Sequence, residues 1–492
     1  MCANAQAVPG QMASANLQVK PESDAWSQQI RDALAAYNAG RYAEAERQLS
    51  AALKQAESLH SDDENVADSA NDLGAVYYTE GKYESARPLF ERALAIHQRL
   101  GDIDRPSVVR IEKNLGEVYL AEGRYEPAER LFRHALEVDE KAFGVDDLEF
   151  ASAAHGLGEA SLARGKYADA EREFDLALRA REKLQGSDST DVARTLRSKG
   201  QLLSIEGKYN EAKRLLDRAV AIDEKGLSST NPMLANDLNA LALAEARMGG
   251  LSAAQQLYER ALAIDETSLG PESTGVAVIL GNLAEVLCGE GKRREANHLF
   301  ARALKIEEGA LGPEHPAVAQ ILNDQATARA HEHQYDKAFP LYERALAIRK
   351  RAFGADHLTV AESEYGLGTA YFGKKEYDAA ELLFRNALDI REKALGPAHP
   401  LVAIALDGLA QVYAARRRYQ EAESSYRRSL EIERSAYGPI SPAAADTLDF
   451  YAALLRMENR GPEADVLAAR AMVMRAQWNE HNAPGPDATH AD

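Results

Sequence analysis

The side chains best equipped for chemistry in this chain recur at a fixed step, and the step limits what they can do. His315, His357 and His399 stand 42 residues apart. An imidazole can ligate a metal or move a proton. Repetition at one loop position points instead to a shared structural job, starting the helix that follows. His331-Glu332-His333 offers two imidazoles close in sequence, but residues two apart on a helix face different ways and make no chelate. Gly165-Lys166 resembles the end of a phosphate loop, yet Tyr167 follows where Ser or Thr is needed, and no strand precedes it. Cys2 and Cys288 are the only cysteines, with no Cys-x-x-Cys pair. No Ser/His/Asp or Cys/His set stands apart from the repeating frame. The chain is therefore expected to be non-catalytic and to hold no cofactor or metal.

The frame itself is read from Gly40-Arg41-Tyr42, Gly81-Lys82-Tyr83, Gly123-Arg124-Tyr125, Gly165-Lys166-Tyr167 and Gly207-Lys208-Tyr209, at intervals of 41, 42, 42 and 42 residues. Further steps of 42 reach Gly249, Gly291, His333, Lys375, Arg417 and Asn459. An Ala follows five residues after each, from Ala45 to Ala464, which makes eleven units in one register. Periods between about 20 and 50 residues mark solenoids. Within a unit, Leu115, Gly116 and Tyr119 share one helical face. After the turn, Ala128, Phe132, Ala135 and Leu136 share another. Each unit thus reads as helix, short turn, helix and longer loop. Small residues allow close approach, and a turn Gly suits a left-handed helix end.

Leu73-Gly74-x-x-Tyr77…Ala86…Phe90-x-x-Ala93 resembles the tetratricopeptide repeat. That repeat is usually about 34 residues long, so each unit here is longer. The extra residues fall in the loop after the second helix, as in Leu311-Gly312-Pro313-Glu314-His315-Pro316 and Leu395-Gly396-Pro397-Ala398-His399-Pro400. With Ala-Leu-x-Ile before them (Ala303–Ile306, Ala345–Ile348) and Leu238-Asn239-Ala240-Leu241-Ala242, they resemble the long repeats of kinesin light chains and similar bacterial proteins. The resemblance implies an all-α, right-handed superhelical solenoid of about eleven helix-turn-helix repeats over residues 25–481. It also implies peptide binding. The heptad coiled coil of kinesin light chains is missing, so a motor partner is not implied.

Residues 1–24 are Ala-, Ser- and Gln-rich and are expected to be a disordered leader, with a disordered tail at 482–492. Ala3-Asn4-Ala5 would suit the stub of a truncated export signal, but the charged and apolar segments before it are absent. The expected compartment is the cytoplasm, with export to the periplasm as the alternative. No apolar run approaches the ~18 residues a membrane span needs. With 58 Lys plus Arg against 77 Asp plus Glu, the net charge is −19. That argues against duplex DNA or an anionic membrane as the main partner. The carboxylates are expected on solvated helix surfaces. Atypical end units are expected too, with Trp26 and Trp478 covering the ends of the core.

In arrays of the resembling type the first helix of each unit lines the concave face. Register then places Arg110, Lys113 and Glu117 on that face, followed at steps of 42 by Ser152, His155 and Glu159, and by Arg194, Arg197 and Gln201. Asn236, Asn239, Gln320 and Asn323 come next, then Glu362, Tyr365, Asp407, Asp446 and Asp449. The expected groove comprises Arg110, Lys113, His155, Arg194, Arg197, Asn236, Asn239 and Asn323. Asparagine offers donors and an acceptor to an extended backbone, and the cations suit an acidic segment. Charge reversal at Arg194 and Arg197 is expected to weaken binding with little change in melting temperature. The expected function is an interaction scaffold holding an extended peptide or partner protein. The alternatives are a peptide-responsive sensor, with Gly249-Gly250 as its soft point, and part of an enzyme complex without a catalytic site of its own.

Overall fold

The loop residues before the first helices and the residues after them decide where each helix begins and ends. Asp147, Asn231, Ser273, His315, His357, His399 and Ser441 each cap a helix, the side chain accepting a backbone N–H of the first turn. Such caps contribute about 1 kcal/mol each. The histidines do start helices: His315 Nδ1 accepts from Ala317 N at 3.2 Å, His357 from Thr359 N at 3.3 Å and His399 from Leu401 N at 3.1 Å. Pro232, Pro316, Pro400 and Pro442 follow at the first helical position, where a missing N–H costs nothing.

The computed structural model describes residues 25–38, 41–59, 63–79, 82–101 and 105–482. The expected leader, the tail beyond Asn482, and the turn residues Gly40 and Gly81 lie outside them. Two compact units divide the chain, one ending at Ser198 and the other beginning at Lys199. The first holds α1 (Ala25–Asn38), α2 (Tyr42–Leu59), α3 (Glu64–Thr79), α4 (Tyr83–Leu100), α5 (Pro106–Ala121), α6 (Tyr125–Phe143), α7 (Leu148–Ala163) and α8 (Tyr167–Gln185). The boundary falls within α9 (Thr190–Ile205). The second holds α10 (Tyr209–Gly226), α11 (Pro232–Arg247), α12 (Leu251–Ser268), α13 (Thr274–Gly289), α14 (Arg293–Leu311), α15 (Pro316–His331) and α16 (Tyr335–Phe353). It continues with α17 (Leu358–Gly373), α18 (Tyr377–Leu395), α19 (Pro400–Ala415), α20 (Tyr419–Tyr437), α21 (Pro442–Met457) and α22 (Gly461–Asn482). Within each unit every helix packs on its neighbours in sequence, and successive first helices also touch, as α3 does α5 and α15 does α17. This is an all-α solenoid of helix pairs.

The turn between paired helices is left-handed throughout its described copies. Gly123, Gly165, Gly207, Gly249 and Gly291 have φ between 71° and 87°. His333, Lys375, Arg417 and Asn459 take the same conformation at 57° to 65° without being glycine. The register therefore outlasts the residue that suits it, at a cost of roughly 1 kcal/mol per site.

The core is a row of large second-helix side chains meeting small first-helix ones. Phe132, Phe174, Leu216, Tyr258, Phe300, Tyr342, Phe384 and Tyr426 share one repeat position, and none is more than 2% exposed. Burying each contributes about 2–3 kcal/mol. The rings enter where a first helix has glycine. A Cβ on Gly116 would lie 2.8 Å from Phe132, one on Gly156 2.3 Å from the same ring, and one on Gly366 2.5 Å from Tyr342.

The two tryptophans behave differently. Trp26 packs on the core of the first unit and donates from Nε1 to Ser69 Oγ at 3.1 Å, as an end cover should. Trp478, on the last helix, instead meets Tyr209 edge-on, with centroids 6.4 Å apart. Beside it, the ring of Tyr437 lies where a Cβ on Gly207 would be, at 2.4 Å. The second unit therefore touches itself between its beginning and its end.

Candidate functional site

The first helices carry polar side chains on the surface they share. In the first unit, Asn114 of α5 donates from Nδ2 to Asn71 Oδ1 of α3 at 2.9 Å, and Asn71 Nδ2 donates to Asp72 Oδ1 at 3.2 Å. Burial, opposed by the charge of Arg110, raises the Asp72 carboxyl to about 7. One step along, Glu117 accepts from Tyr78 Oη at 3.5 Å and from Arg194 Nη2 at 3.4 Å. Glu159 accepts from Ser198 Oγ and lies 3.6 Å from His155 Nε2. Beneath them Arg181 of α8 donates to Thr195 Oγ1 at 2.6 Å and to the Asp191 carbonyl at 3.0 Å.

The electrostatics of this set follow from burial and neighbours. Desolvation and then Arg194 lower the Arg181 guanidinium to about 10. Burial would also lower Arg194, but Glu117, Tyr78 and Glu159 hold it above its ordinary value. His155 is pushed well below the histidine range by burial and then by Arg194, Arg181 and Arg197, so it is neutral at pH 7. Its Nδ1 has no hydrogen-bond partner among the described residues, and the residue is 2% exposed.

Of the expected groove residues in this unit, His155, Arg194 and Arg197 are brought together, and Arg110 lies beside Asp72. Lys113 does not join them. It is buried, 3.1 Å from Asp139 Oδ2 and 2.6 Å from Glu149 Oε2, which consumes its charge inside the fold. Arg194 is too deeply paired for a harmless reversal. A carboxylate there would face Glu117 and Glu159, so the melting temperature of Arg194→Glu is expected to fall together with any binding.

In the second unit the asparagine rung recurs. Asn282 of α13 donates from Nδ2 to Asn239 Oδ1 of α11 at 3.0 Å. Asn236, one turn earlier, is buried. Asn323 holds the position of Asn71 and Asn239, but the residue that would donate to it from the next first helix is Gly366. Its Oδ1 has no partner among the described residues, and the side chain is 4% exposed.

One set of polar residues was missed in the sequence. His97, Asp139, Arg181, Asp223, Asp265, Glu307, Arg349, Arg391 and Glu433 occupy one position of the second helices, and all are buried. The expectation of solvated carboxylates fails here. The cations donate to the start of the next first helix: Arg349 to the Thr359 carbonyl and Arg391 to that of Leu401, both at 2.9 Å. The acids have no such donor to offer when ionised, and burial alone raises Asp265 to about 7 and Glu307 to about 8. The available signal was an ionisable residue at every step of 42 from His97 to Glu433, following Ile or Val at each except Arg181, which follows Ala180, at a position the helical pattern turns inward.

Comparison with known proteins puts this geometry in context. The tetratricopeptide repeat model matches residues 33–96, 65–141, 149–225, 206–267, 233–308, 317–393, 374–435 and 401–477, and a second model of the same repeat matches 113–184. Among solved structures, BtubC (BKLC) from P. vanneervenii is 20% identical, with 50% of this chain and 96% of that one covered and a TM-score of 0.38. A kinesin light chain of Podosopora anserina with nearly identical TPR-like repeats is 26% identical over 41% of this chain and 95% of that one, with a TM-score of 0.33. A monomeric mutant of IFIT1 with Gppp-AAAA is 16% identical over 91% and 90%, with a TM-score of 0.47. No curated protein matches the chain. Tetratricopeptide repeats generally mediate protein–protein interaction, and no helix among the described residues is long and apolar enough to cross a membrane.

Proposed function

The chain belongs to the tetratricopeptide repeat family, and on that premise we propose that it is a non-catalytic scaffold whose concave face holds an extended segment of a partner protein. An acidic part of that segment would sit towards Arg110, Arg194 and Arg197. One observation carries this reading. From α3 onward the first helices carry polar side chains at one repeat position, Gly281 being the exception among the described residues, and four of them, Asn71, Lys113, His155 and Asn323, are buried. Burying a polar group costs about 1–3 kcal/mol unless it is paired, and apolar residues would pack the helices at no such cost. Asparagine amides and guanidiniums are the groups that read a peptide backbone and a carboxylate.

The test is a pull-down from native extract with the wild-type chain and an Arg110→Glu/Arg197→Glu variant, with partners read by mass spectrometry and both proteins checked for equal melting. Arg194 is left intact because of its place beside Glu117. A partner retained by the wild type and lost from the variant supports the reading. Identical partner lists would move binding away from this face.

A second reading, a peptide-responsive sensor, draws support from the contacts of Gly207 with Tyr437 and of Tyr209 with Trp478. A ligand that spread the second unit would break them. Scattering measurements with and without the recovered partner decide between the two, since a rigid scaffold keeps its radius of gyration.

A further inference from the structure

The second unit carries a cluster of acids on successive first helices. Glu285 lies on α13, Asp324 on α15 and Glu362 on α17, each partly open to solvent. Asp324 accepts from Gln320 Nε2 at 2.9 and 3.1 Å and is hydrogen-bonded to Glu285. Glu362 Oε2 lies 3.3 Å from Arg349 Nη2. That guanidinium is already committed to the Thr359 carbonyl, Ser363 Oγ and Gln320 Oε1. Arg247 of α11 is a cation acting on Glu285. Tyr342 lies near Asp324 and Glu362, and burial pushes its phenol further up from its ordinary value.

Glu285 and Asp324 share a hydrogen bond, which two carboxyls make only when one of them holds a proton. Desolvation first, then the neighbouring carboxylates of the cluster, raise both Glu285 and Asp324 above the ordinary range. A second observation points to a missing donor. Asn323 precedes Asp324 on α15, and its Oδ1 is buried without a partner. The same atom of Asn239 is used by Asn282 of the next first helix. By that register the position on α17 that would answer Asn323 Oδ1 is Gly366, one turn from Glu362. The place combines an unused acceptor with three carboxyls, Glu362 being paired to an Arg349 already committed elsewhere, and a further cation with N–H donors satisfies both.

We propose that Glu285, Asp324 and Glu362, with Asn323 Oδ1, form a receptor for an arginine or lysine side chain of a partner segment. The cation enters in exchange for the proton, which leaves to solvent, and its N–H groups donate to the carboxylates and to Asn323. This rests on the reading of the first-helix face as the binding surface and adds a basic element to the acidic one expected at Arg110 and Arg197.

The experiment is calorimetric titration of the full chain with hexa-arginine at pH 7, in phosphate and in Tris, whose ionisation heats differ widely. Binding with release of about one proton per complex is expected, with affinity rising towards tenfold per pH unit between pH 6 and 7. A Glu285→Gln/Asp324→Asn/Glu362→Gln variant should lose at least tenfold in affinity and all proton release, with its melting temperature unchanged or higher. Should that variant fail to fold, Asp324→Asn alone and the buffer dependence of the wild type decide the matter. Binding without proton release, binding unchanged in the variant, or no binding overturns the proposal, because ordinary surface carboxylates are already ionised at pH 7. An acidic partner lost from the Arg110→Glu/Arg197→Glu variant while hexa-arginine fails to bind would sink this inference and leave the scaffold reading standing.

Discussion

Gly156 shows how little room a single position leaves. Its hydrogen faces Phe132, and a methyl group there would lie 2.3 Å from the ring. Gly156→Ala is expected to destabilise the first unit by about 1–3 kcal/mol, measured by urea denaturation. The left-handed turns argue the other way. Lys375 and Arg417 hold φ of 65° and 62° with side chains that resist it. Lys375→Gly should raise stability by about 0.5–1 kcal/mol, the relief of strain outweighing the added freedom of the unfolded chain. No gain in thermal melting would show that the turn is not strained. At this scale the sequence was readable wherever a residue type is forced. The turn glycines and the histidine caps were legible because backbone conformation and an orphan N–H each admit few solutions. Lys113 was misplaced because register gives a helical face but not the acid that reaches it from the next helix, here Asp139.

At the scale of the element, the second helices combine an apolar face with one buried ionisable position. Helical periodicity sees the face and passes over the exception. Charge at a single position every 42 residues looks like part of the solvated surface until neighbouring units are stacked on it. The outcome has a pH signature. Burial raises Asp265 to about 7 and Glu307 to about 8, with no neighbouring charge contributing. A carboxyl raised above its unfolded value stabilises fully below about pH 4, and that contribution is lost as pH rises through 7 to 8. His357 and His399 act oppositely. Burial and then Arg349 and Arg391 lower them to about 4, so their contribution is present above about pH 6.5 and lost as pH falls towards 4. Asp265→Asn with Glu307→Gln should therefore flatten the decline in stability between about pH 4 and 8.5 and raise it at pH 8.5 by on the order of 2 kcal/mol, leaving stability below about pH 4 unchanged. Melting curves across that range check it, and an unaltered alkaline slope would refute it.

On the scale of the whole molecule, the repeat length and the helix pairing were both legible, because a register kept over eleven units leaves few alternatives. The polar row on the first helices was legible as positions but not as a network. Which of Arg194, Glu117, Glu159 and His155 pair with one another depends on distances that sequence does not contain. The contact of Trp478 with Tyr209 was not legible at all, since it joins residues far apart along the second unit. Tyr437→Ala with Trp478→Ala should expand that unit in scattering measurements without reducing its helix content. Unchanged dimensions would show that neighbour packing alone sets its curvature.

An ordinary open array tolerates arithmetic: one unit more or fewer merely lengthens or shortens it, since each touches only its neighbours. Where Tyr437 must return to Gly207, the count of units between them becomes a fixed quantity. Duplication or loss of a single 42-residue unit, the commonest accident in the history of a tandem repeat, would leave the two ends out of step by a whole helix pair. In this stretch the number of repeats is itself part of the specification.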